Sequence, residues 1–314
     1  IKLEENSSLK NALRDIKFLK EIQIEYNKDI DLNSFSIADQ INNLVNECIK
    51  YGTLPFSILA RHGFIAESLL RSAVKKEVIT EDRLKEFRRS IVTVAGEMSH
   101  DFNLVLTKEL TQEQYLEKYG HLRPSSYDIL SPNYANRKDL FDGQTTREHT
   151  TISSFELTNE ENEGINKLLD QNELDTISAK ELILYTEEAI KGREYGKFIF
   201  TKHLSSILEL VAKWGEVKGF TREQLSMLTI NEILEILVSP LTIDVKQHFE
   251  SKIEKAEENF KIASSFKLSY LIRSTRDVHI VPMQRSAPNF IGNQRIEAEI
   301  IELTPYLDDL PNLK

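Results

Sequence analysis

The sequence predicts a mainly α-helical, multi-helix domain with a small β element at its C-terminus. Apolar residues recur at steps of three and four over most of the chain, which is the spacing of one helix face. The 314 residues include only 11 Gly and 8 Pro, about half of their average share. Folds of many short strands need more turn residues, so an all-β sandwich or barrel is excluded.

The first three predicted helices cover residues 7–27, 37–50 and 54–76. Pro55 suits the first turn of the third helix, where its missing N–H costs nothing. A fourth helix begins after Thr80, where a threonine followed by two acidic residues is typical of a helix start. We expect this helix to be long and buried, because one apolar stripe joins Leu84, Phe87, Ile91, Val94, Met98, Phe102 and Val105.

The next predicted helix, 111–119, ends at Gly120. From 121 to 155 the chain is rich in Ser, Thr, Asn, Asp and Pro and shows no sustained period. The sequence therefore predicts a long irregular loop, and loops of this length are usually functional or disordered.

The remaining predicted helices are 158–170, 179–218 and 243–264, with two short helices capped by Thr221 and Thr229. The longest of them begins at the capping residue Ser178. It ends at Gly219, since glycine is the usual residue in the left-handed position after a helix.

These elements divide the chain into a helical domain, 1–265, and a β-containing segment, 266–314. In the segment, residues 268–281 and 295–303 are predicted to be β-like, and in the second stretch apolar and charged residues alternate from Arg295 to Ile300, which is the period of a half-buried strand. The sequence starts without Met and ends without a terminal element. We therefore expect a fragment of a longer protein.

The net charge of −10 argues against a nucleic-acid partner or an anionic membrane, because both require a basic face. No apolar run reaches the roughly 18 residues of a transmembrane helix, and the N-terminus lacks a signal-peptide pattern. Cys48 is the only cysteine, and its place on an apolar helix face predicts a buried, inert thiol. Together these features predict a cytoplasmic protein.

The common catalytic motifs are absent from the sequence. No two glycines are closer than four residues apart, so the G-x-G-x-x-G and Walker phosphate loops are excluded. There is no H-E-x-x-H metal pair and no G-x-S-x-G elbow. We therefore assign no catalytic residue, metal ligand or cofactor within these 314 residues.

One segment concentrates polar and charged side chains directly after a predicted helix end. It contains Tyr119, His121, Arg123, Tyr127 and Asp128. Arginine forks onto carboxylate or phosphate, and histidine donates or accepts a proton near neutral pH. The segment is therefore a candidate site for an anionic substrate. The alternative is a structural role, in which the Arg and His side chains bind loop carbonyls and the Asp caps a turn.

Two further arginines are second-rank candidates for substrate binding. Arg61 lies in an otherwise apolar helix, and Arg193 lies beside two glycines. A buried arginine needs a partner, because an unpaired desolvated charge is costly. A structural role is the alternative for both regions, and near the first one Glu67 and Arg71 are spaced to form an i,i+4 ion pair.

The same residues carry a resemblance to a known family. Residues 119–124 (YGHLRP), with 127–129 (YDI) and 131–134 (SPNY), resemble the Y-G-H-x-R/G-P motif of phosphoenolpyruvate-utilising enzymes. This family includes phosphoenolpyruvate synthase (pyruvate, water dikinase) and rifampicin phosphotransferase. In these enzymes the similar segment lies between an ATP-grasp domain and a swivelling phosphohistidine domain.

Other stretches extend the resemblance over most of the chain. Residues 192–195 (GREY), followed by 220–222 (FTR) and 228–233 (LTINEI), resemble helical signatures of the family. Residues 288–292 (PNFIG) resemble the junction ahead of the swivelling domain. The sequence departs from the family at 125–126, where two Ser replace the frequent Gly, and this puts a close backbone approach to a ligand in question.

The resemblance implies a central domain that docks the phosphohistidine domain, binds the phosphoryl acceptor, or both. In such a parent enzyme ATP, with Mg²⁺, phosphorylates a His on the swivelling domain, and the phosphoryl group passes to pyruvate or another small-molecule acceptor. The partners would be the ATP-grasp and phosphohistidine domains of the same parent chain, and the fragment alone is expected to be inactive. Two other hypotheses stay open: a non-catalytic helical scaffold or interaction module, and an independent small-molecule binder.

Overall fold

The computed structural model of the protein describes residues 7–25, 34–142, 154–174, 176–237, 244–265, 268 and 271–276. These residues are mainly α-helical, and no β-strand occurs among them. The predicted β element at 266–314 falls almost entirely outside this part of the chain, and its strand at 295–303 falls outside it completely. Among the described helices, none combines the length and the apolar character needed to cross a bilayer.

The first helices are α1 (Ser8–Glu25), α2 (Ser34–Glu47), α3 (Leu54–Lys75), α4 (Glu81–Ser90), α5 (Val94–Leu106) and α6 (Gln112–Tyr119). The later helices are α7 (Asn159–Gln171), α8 (Ala179–Lys218), α9 (Arg222–Leu225), α10 (Ile230–Leu234) and α11 (Val245–Ser264). A π-helical turn, Cys48–Thr53, joins α2 to α3, and 3-10 turns cover Tyr134–Asn136 and Glu235–Leu237. The helices predicted from apolar spacing are confirmed, apart from the fourth.

The fourth predicted helix is wrong in length, because the chain forms two helices, α4 and α5, along one apolar stripe. Ile91 leaves helical geometry with ψ 114°, and Thr93 then caps α5 by accepting a hydrogen bond from the Gly96 N–H at 3.2 Å. The two helices serve different apolar clusters: α4 packs with Leu70 of α3, whereas α5 packs with Tyr115 of α6. The apolar spacing continues across the end of α4 and the start of α5, because each of the two helices buries one apolar face.

The 40-residue helix α8 is the centre of the fold, and α1, α2 and α3 pack against it. Ser178 caps its start, and Gly219, with φ 82°, ends it in the left-handed region, as the sequence predicts. At Gly196 a Cβ atom would lie 2.8 Å from a methyl carbon of Leu59, so glycine allows α3 to approach α8 closely. Residues of α8 also take part in each of the candidate sites described below.

A buried polar contact ties α8 to α1 and α2. The Gln23 side-chain amide on α1 donates to the Ile199 carbonyl at 2.8 Å and to Nδ1 of His203 at 2.9 Å. Since an amide N–H₂ can only donate, Nδ1 is the acceptor and the ring proton is assigned to Nε2, which donates to Glu47 at 3.1 Å. Burial lowers the pKa of His203, so the ring is neutral at pH 7.

The chain divides into two compact units, Ile1–Glu258 and Asn259–Lys314. Helix α11 begins in the first unit, where Phe249 and Ile253 are buried, and ends in the second. The sequence places Phe260 on the same buried stripe, but its side chain is 61% exposed. Helical spacing identifies a face correctly here, yet it does not show how much of that face is covered.

Candidate functional site

The candidate residues lie where α6 ends and the irregular region begins. At Gly120 a Cβ atom would lie 2.3 Å from the Leu116 carbonyl oxygen, so a larger residue would clash with the helix end. The Tyr134 N–H donates to the Leu122 carbonyl at 2.7 Å, and the Ala135 N–H donates to the Gly120 carbonyl at 3.0 Å. Residues 120–136, the motif loop, therefore fold back and close on themselves.

Tyr119, the last residue of α6, is fully buried. Its hydroxyl donates to the Asp101 carboxylate on α5 at 2.8 Å, and its ring packs against Tyr115 and Phe198. Burial raises the pKa of Tyr119 to about 12, so the phenol keeps its proton at pH 7. The side chain joins α6 to α5 and α8 and is closed to a ligand.

His121 turns toward α8, where its Nε2 lies 3.1 Å from the Phe198 carbonyl oxygen. A carbonyl only accepts, so the ring proton is assigned to Nε2. Burial, with a smaller contribution from the positive charge of Lys202, lowers the pKa of His121 to about 4. At pH 7 the ring is therefore a neutral hydrogen-bond donor that anchors the motif loop to α8.

Arg123 is the buried centre of the motif loop, with a side chain only 2% exposed. One guanidinium nitrogen, Nη1, donates to the carbonyls of Asp128 and Ser131 at 3.3 and 3.1 Å. The other, Nη2, donates to the Ser205 hydroxyl at 2.9 Å and to the Glu209 carboxylate at 3.1 Å on α8. These bonds match the structural alternative, in which the arginine binds loop carbonyls instead of an anionic substrate.

Glu209 pairs with a second arginine as well. Its other carboxylate oxygen accepts from Nη2 of Arg222 at 2.7 Å, and Nη1 of Arg222 donates to the Ile129 carbonyl at 3.0 Å. Glu209 thus lies between Arg123 and Arg222, and both arginines hold the backbone of residues 128–131. These contacts hold residues 128–131 of the motif loop against α8 and the start of α9.

Tyr127 and Asp128 differ from the other candidates because they lie at the surface. Tyr127 is 67% exposed, and the Asp128 carboxylate accepts from the Leu130 N–H at 2.9 Å, which is an Asx turn. The predicted turn-capping role of Asp128 is therefore present. Both residues, together with Ile129, form one wall of a cavity.

This cavity, the apolar cavity, has a volume of about 430 Å³. It lies between the motif loop, α2, α8, α9 and α10, and most of its lining is aliphatic. Val45, Leu204, Ile207, Leu208, Leu228 and Ile233 are representative of the lining. Among the described residues that line it, Asp128 is the one with a charged side chain. A space of this size and character suits a small, mainly apolar molecule.

Cys48 also lines the apolar cavity. The residue is buried, and desolvation raises the pKa of its thiol to about 11. The thiol is protonated at pH 7, and since the thiolate is the nucleophile, Cys48 is inert there. The sequence predicts such a buried, inert thiol, and the structure agrees.

The two second-rank arginines lie elsewhere. Arg61 is exposed on α3, and Arg193 on α8 packs its side chain across Gly63 of α3. Neither lines the apolar cavity. The predicted ion pair between Glu67 and Arg71 is confirmed at 2.8 Å. The structure therefore brings Tyr119, His121, Arg123, Tyr127 and Asp128 together in one region and leaves Arg61 and Arg193 outside it.

Sequence reasoning did not identify Ser205 and Glu209 as partners of the motif loop. Both lie more than 80 residues from Arg123 in sequence. Their spacing of four residues places them on one face of α8, directly beside its apolar stripe. A buried arginine needs a carboxylate, so an acidic residue next to that stripe is the signal that points to Glu209.

The site is therefore an arginine-centred loop that borders an apolar cavity. Within the described part of the chain, no three His, Cys, Asp or Glu side chains come together in a group able to hold a metal ion. The chain matches no protein-family model, no curated protein and no solved structure.

Proposed function

We propose that this chain is the central helical domain of a phosphoenolpyruvate synthase-like phosphotransferase and that it binds the phosphoryl acceptor in the apolar cavity. The observation that carries the proposal is that residues 127–129, part of the family-like motif, form one wall of a cavity of small-molecule size. The phosphorylated His would come from a swivelling domain of the same parent chain, and the ATP-grasp domain would be its second partner.

In this proposal the motif residues divide into two groups. Tyr119, His121 and Arg123 are positioning residues, because all three are engaged in contacts with the protein itself. Tyr127 and Asp128 are the residues that meet the acceptor. The Asp128 carboxylate can take the proton of an acceptor hydroxyl as the hydroxyl oxygen forms a bond to phosphorus. The phosphorus–nitrogen bond breaks with its electron pair left on the ring, which departs as neutral imidazole when its other nitrogen carries a proton.

The character of the cavity favours an acceptor other than pyruvate. Its described lining contains no Lys or Arg, and Asp128 is negative. A carboxylate placed there would lose water without gaining a cationic partner, which costs several kcal/mol. A mainly apolar molecule with a hydroxyl group fits the lining better.

The proposal is tested in a protein that contains this chain together with ATP-grasp and phosphohistidine domains. Leu208→Trp would fill the apolar cavity, and Val217→Trp, at an exposed position of the same helix, is the matched control. We expect Leu208→Trp to abolish transfer to the acceptor while ATP-dependent phosphorylation of the His persists. Unchanged acceptor turnover in Leu208→Trp would refute the proposed site.

A non-catalytic helical scaffold is the second candidate function. It is favoured by Arg123, whose hydrogen bonds all go to groups of the protein itself. In the same full-length protein, Tyr127→Ala separates the two functions, because the exposed Tyr127 side chain contributes little to stability. Loss of acceptor turnover with unchanged melting supports the acceptor site, whereas unchanged turnover supports the scaffold.

A further inference from the structure

A second concave region lies on α8, closer to the N-terminus of that helix than the apolar cavity. It has a volume of about 270 Å³ and lies between α1, α5, the end of α6 and α8. We call it the basic pocket and define it by Lys20, Gln23, Lys118, His121, Phe198 and Lys202. The full lining has twelve residues, of which three are lysines and two are glutamates, in a protein whose net charge is −10.

Two of the three lysines have no acidic partner among the described residues. Lys118 is paired, with its ammonium 2.9 Å from Asp101 and 3.3 Å from Glu97. Lys20 and Lys202 form no such ion pair in the described part of the chain, and the Lys20 ammonium lies 5.9 Å from the centre of the Tyr195 ring. Within the described part of the chain, Lys20, which is exposed, and the half-buried Lys202 therefore have no acidic partner.

The acidic groups around the pocket do not neutralise these charges. Glu97 lines the pocket but is bound to Lys118. Glu117, the other acidic residue of the lining, is exposed, so its carboxylate is free to turn into water. The polar wall is fixed, because Gln23 donates to Ile199 and His203.

The surroundings of Lys202 also favour an anion. Burial is the main reason why the pKa values of His121 and His203 are low, and the charge of Lys202 lowers both further. Both imidazole rings are neutral at pH 7, so neither of them compensates the positive charge of Lys202. A bound anion would compensate the charge of the half-buried Lys202, and the exposed Lys20 would supply a second positive charge.

We propose that the basic pocket binds a small anion, through a phosphate or carboxylate group held between Lys20 and Lys202. The pocket uses α8 residues near 198, whereas the apolar cavity uses residues near 207, so the two sites are about 13 Å apart along the helix. The inference does not rest on the proposed phosphotransfer. Binding of a simple anion to this chain tests it without an acceptor or a donor of phosphoryl groups.

The test follows the imidazole NMR signals of His121 at pH 7 while inorganic phosphate is added at constant ionic strength. Acetate is added in a second series, which distinguishes a phosphate site from a carboxylate site. The variants are Lys20→Gln and Lys202→Gln, and the control is Lys213→Gln, an exposed lysine on α8 outside the pocket. The backbone amide spectrum of each variant verifies that it is folded.

We expect at least one anion to shift the His121 signals to saturation. Loss of either pocket lysine should weaken that binding by about tenfold, because a charge-assisted hydrogen bond is removed. The Lys213→Gln control should bind as tightly as the original protein. The proposal is overturned if neither anion gives a saturable shift, or if all three variants weaken binding equally, which would indicate attraction by the surface as a whole.

Discussion

Single residues hold the motif loop in place through charge and burial. Arg123 and Arg222 share the Glu209 carboxylate, and together they bind the carbonyls of residues 128–131. The buried Arg123 binds the loop through Nη1 and α8 through Nη2, so the loop and α8 depend on each other, while its Nε has no hydrogen-bond partner among the described residues. Substitution of these side chains is therefore a direct test of the network.

Arg123→Ala should destabilise the fold by about 3 kcal/mol, because the carbonyls of residues 128 and 131 lose their donor and Glu209 keeps only one of its two arginines. Arg137→Ala is the matched control: Arg137 lies in the same region and pairs with an exposed Asp139. We expect that change to cost at most about 1 kcal/mol. Urea denaturation measures both, and equal losses in the two variants would show that Arg123 is not structural.

His121 should make stability depend on pH. Its pKa falls from an ordinary 6.5 to about 4 on folding, so between these values the unfolded chain binds more protons than the folded one. The neutral ring therefore makes its full contribution to the free energy of unfolding above pH 6.5. As the pH falls toward 4, the free energy of unfolding decreases by up to about 3 kcal/mol.

The measurement compares unfolding free energies of the original protein and His121→Gln at several pH values. Glutamine keeps a donor for the Phe198 carbonyl but does not titrate. The difference between the two stability curves should therefore slope between pH 4 and 6.5 and be flat above. A difference that is flat over the whole range would contradict the assigned burial of His121.

At the scale of elements, apolar spacing and capping residues predict nearly every helix of the described region. They work because each signal is local: Thr111, Ser178 and Gly219 mark helix ends by hydrogen bonds or backbone conformation within a few residues. The apolar spacing does not predict the break between α4 and α5, because the stripe continues through it. Only Thr93, a capping residue inside the stripe, indicates that break.

The packing of α9 on α8 gives a prediction at this scale. In Gly215→Ala the new methyl group would lie 2.4 Å from a methyl carbon of the buried Leu225, so we expect a loss of about 1 to 3 kcal/mol. Gly96→Ala is the control, since the nearest atom to its Cβ is 3.6 Å away and alanine favours a helix by up to about 1 kcal/mol. Thermal denaturation measures both changes, and a Gly215→Ala variant as stable as Gly96→Ala would show that α9 is not packed there.

At the scale of the whole molecule, the candidate site depends on contacts that sequence patterns do not contain. The sequence identifies Tyr127 and Asp128 as candidates, but their place beside α2 and α8 follows from tertiary packing across about 80 residues. The apolar lining is made of residues that read as ordinary core positions, for example Ile207 and Ile233. An apolar residue beside a cavity and one inside a core give the same pattern, so the cavity could not be predicted.

Calorimetric titration of this chain with 1-naphthol measures whether the apolar cavity accepts a mainly apolar hydroxyl compound, as we propose. We expect saturable binding that is weakened by about tenfold or more in Leu208→Trp, which fills the cavity, and is unchanged in Val217→Trp. Added pyruvate should not displace the probe. Equal binding by the two tryptophan variants, or displacement by pyruvate, would contradict the claim.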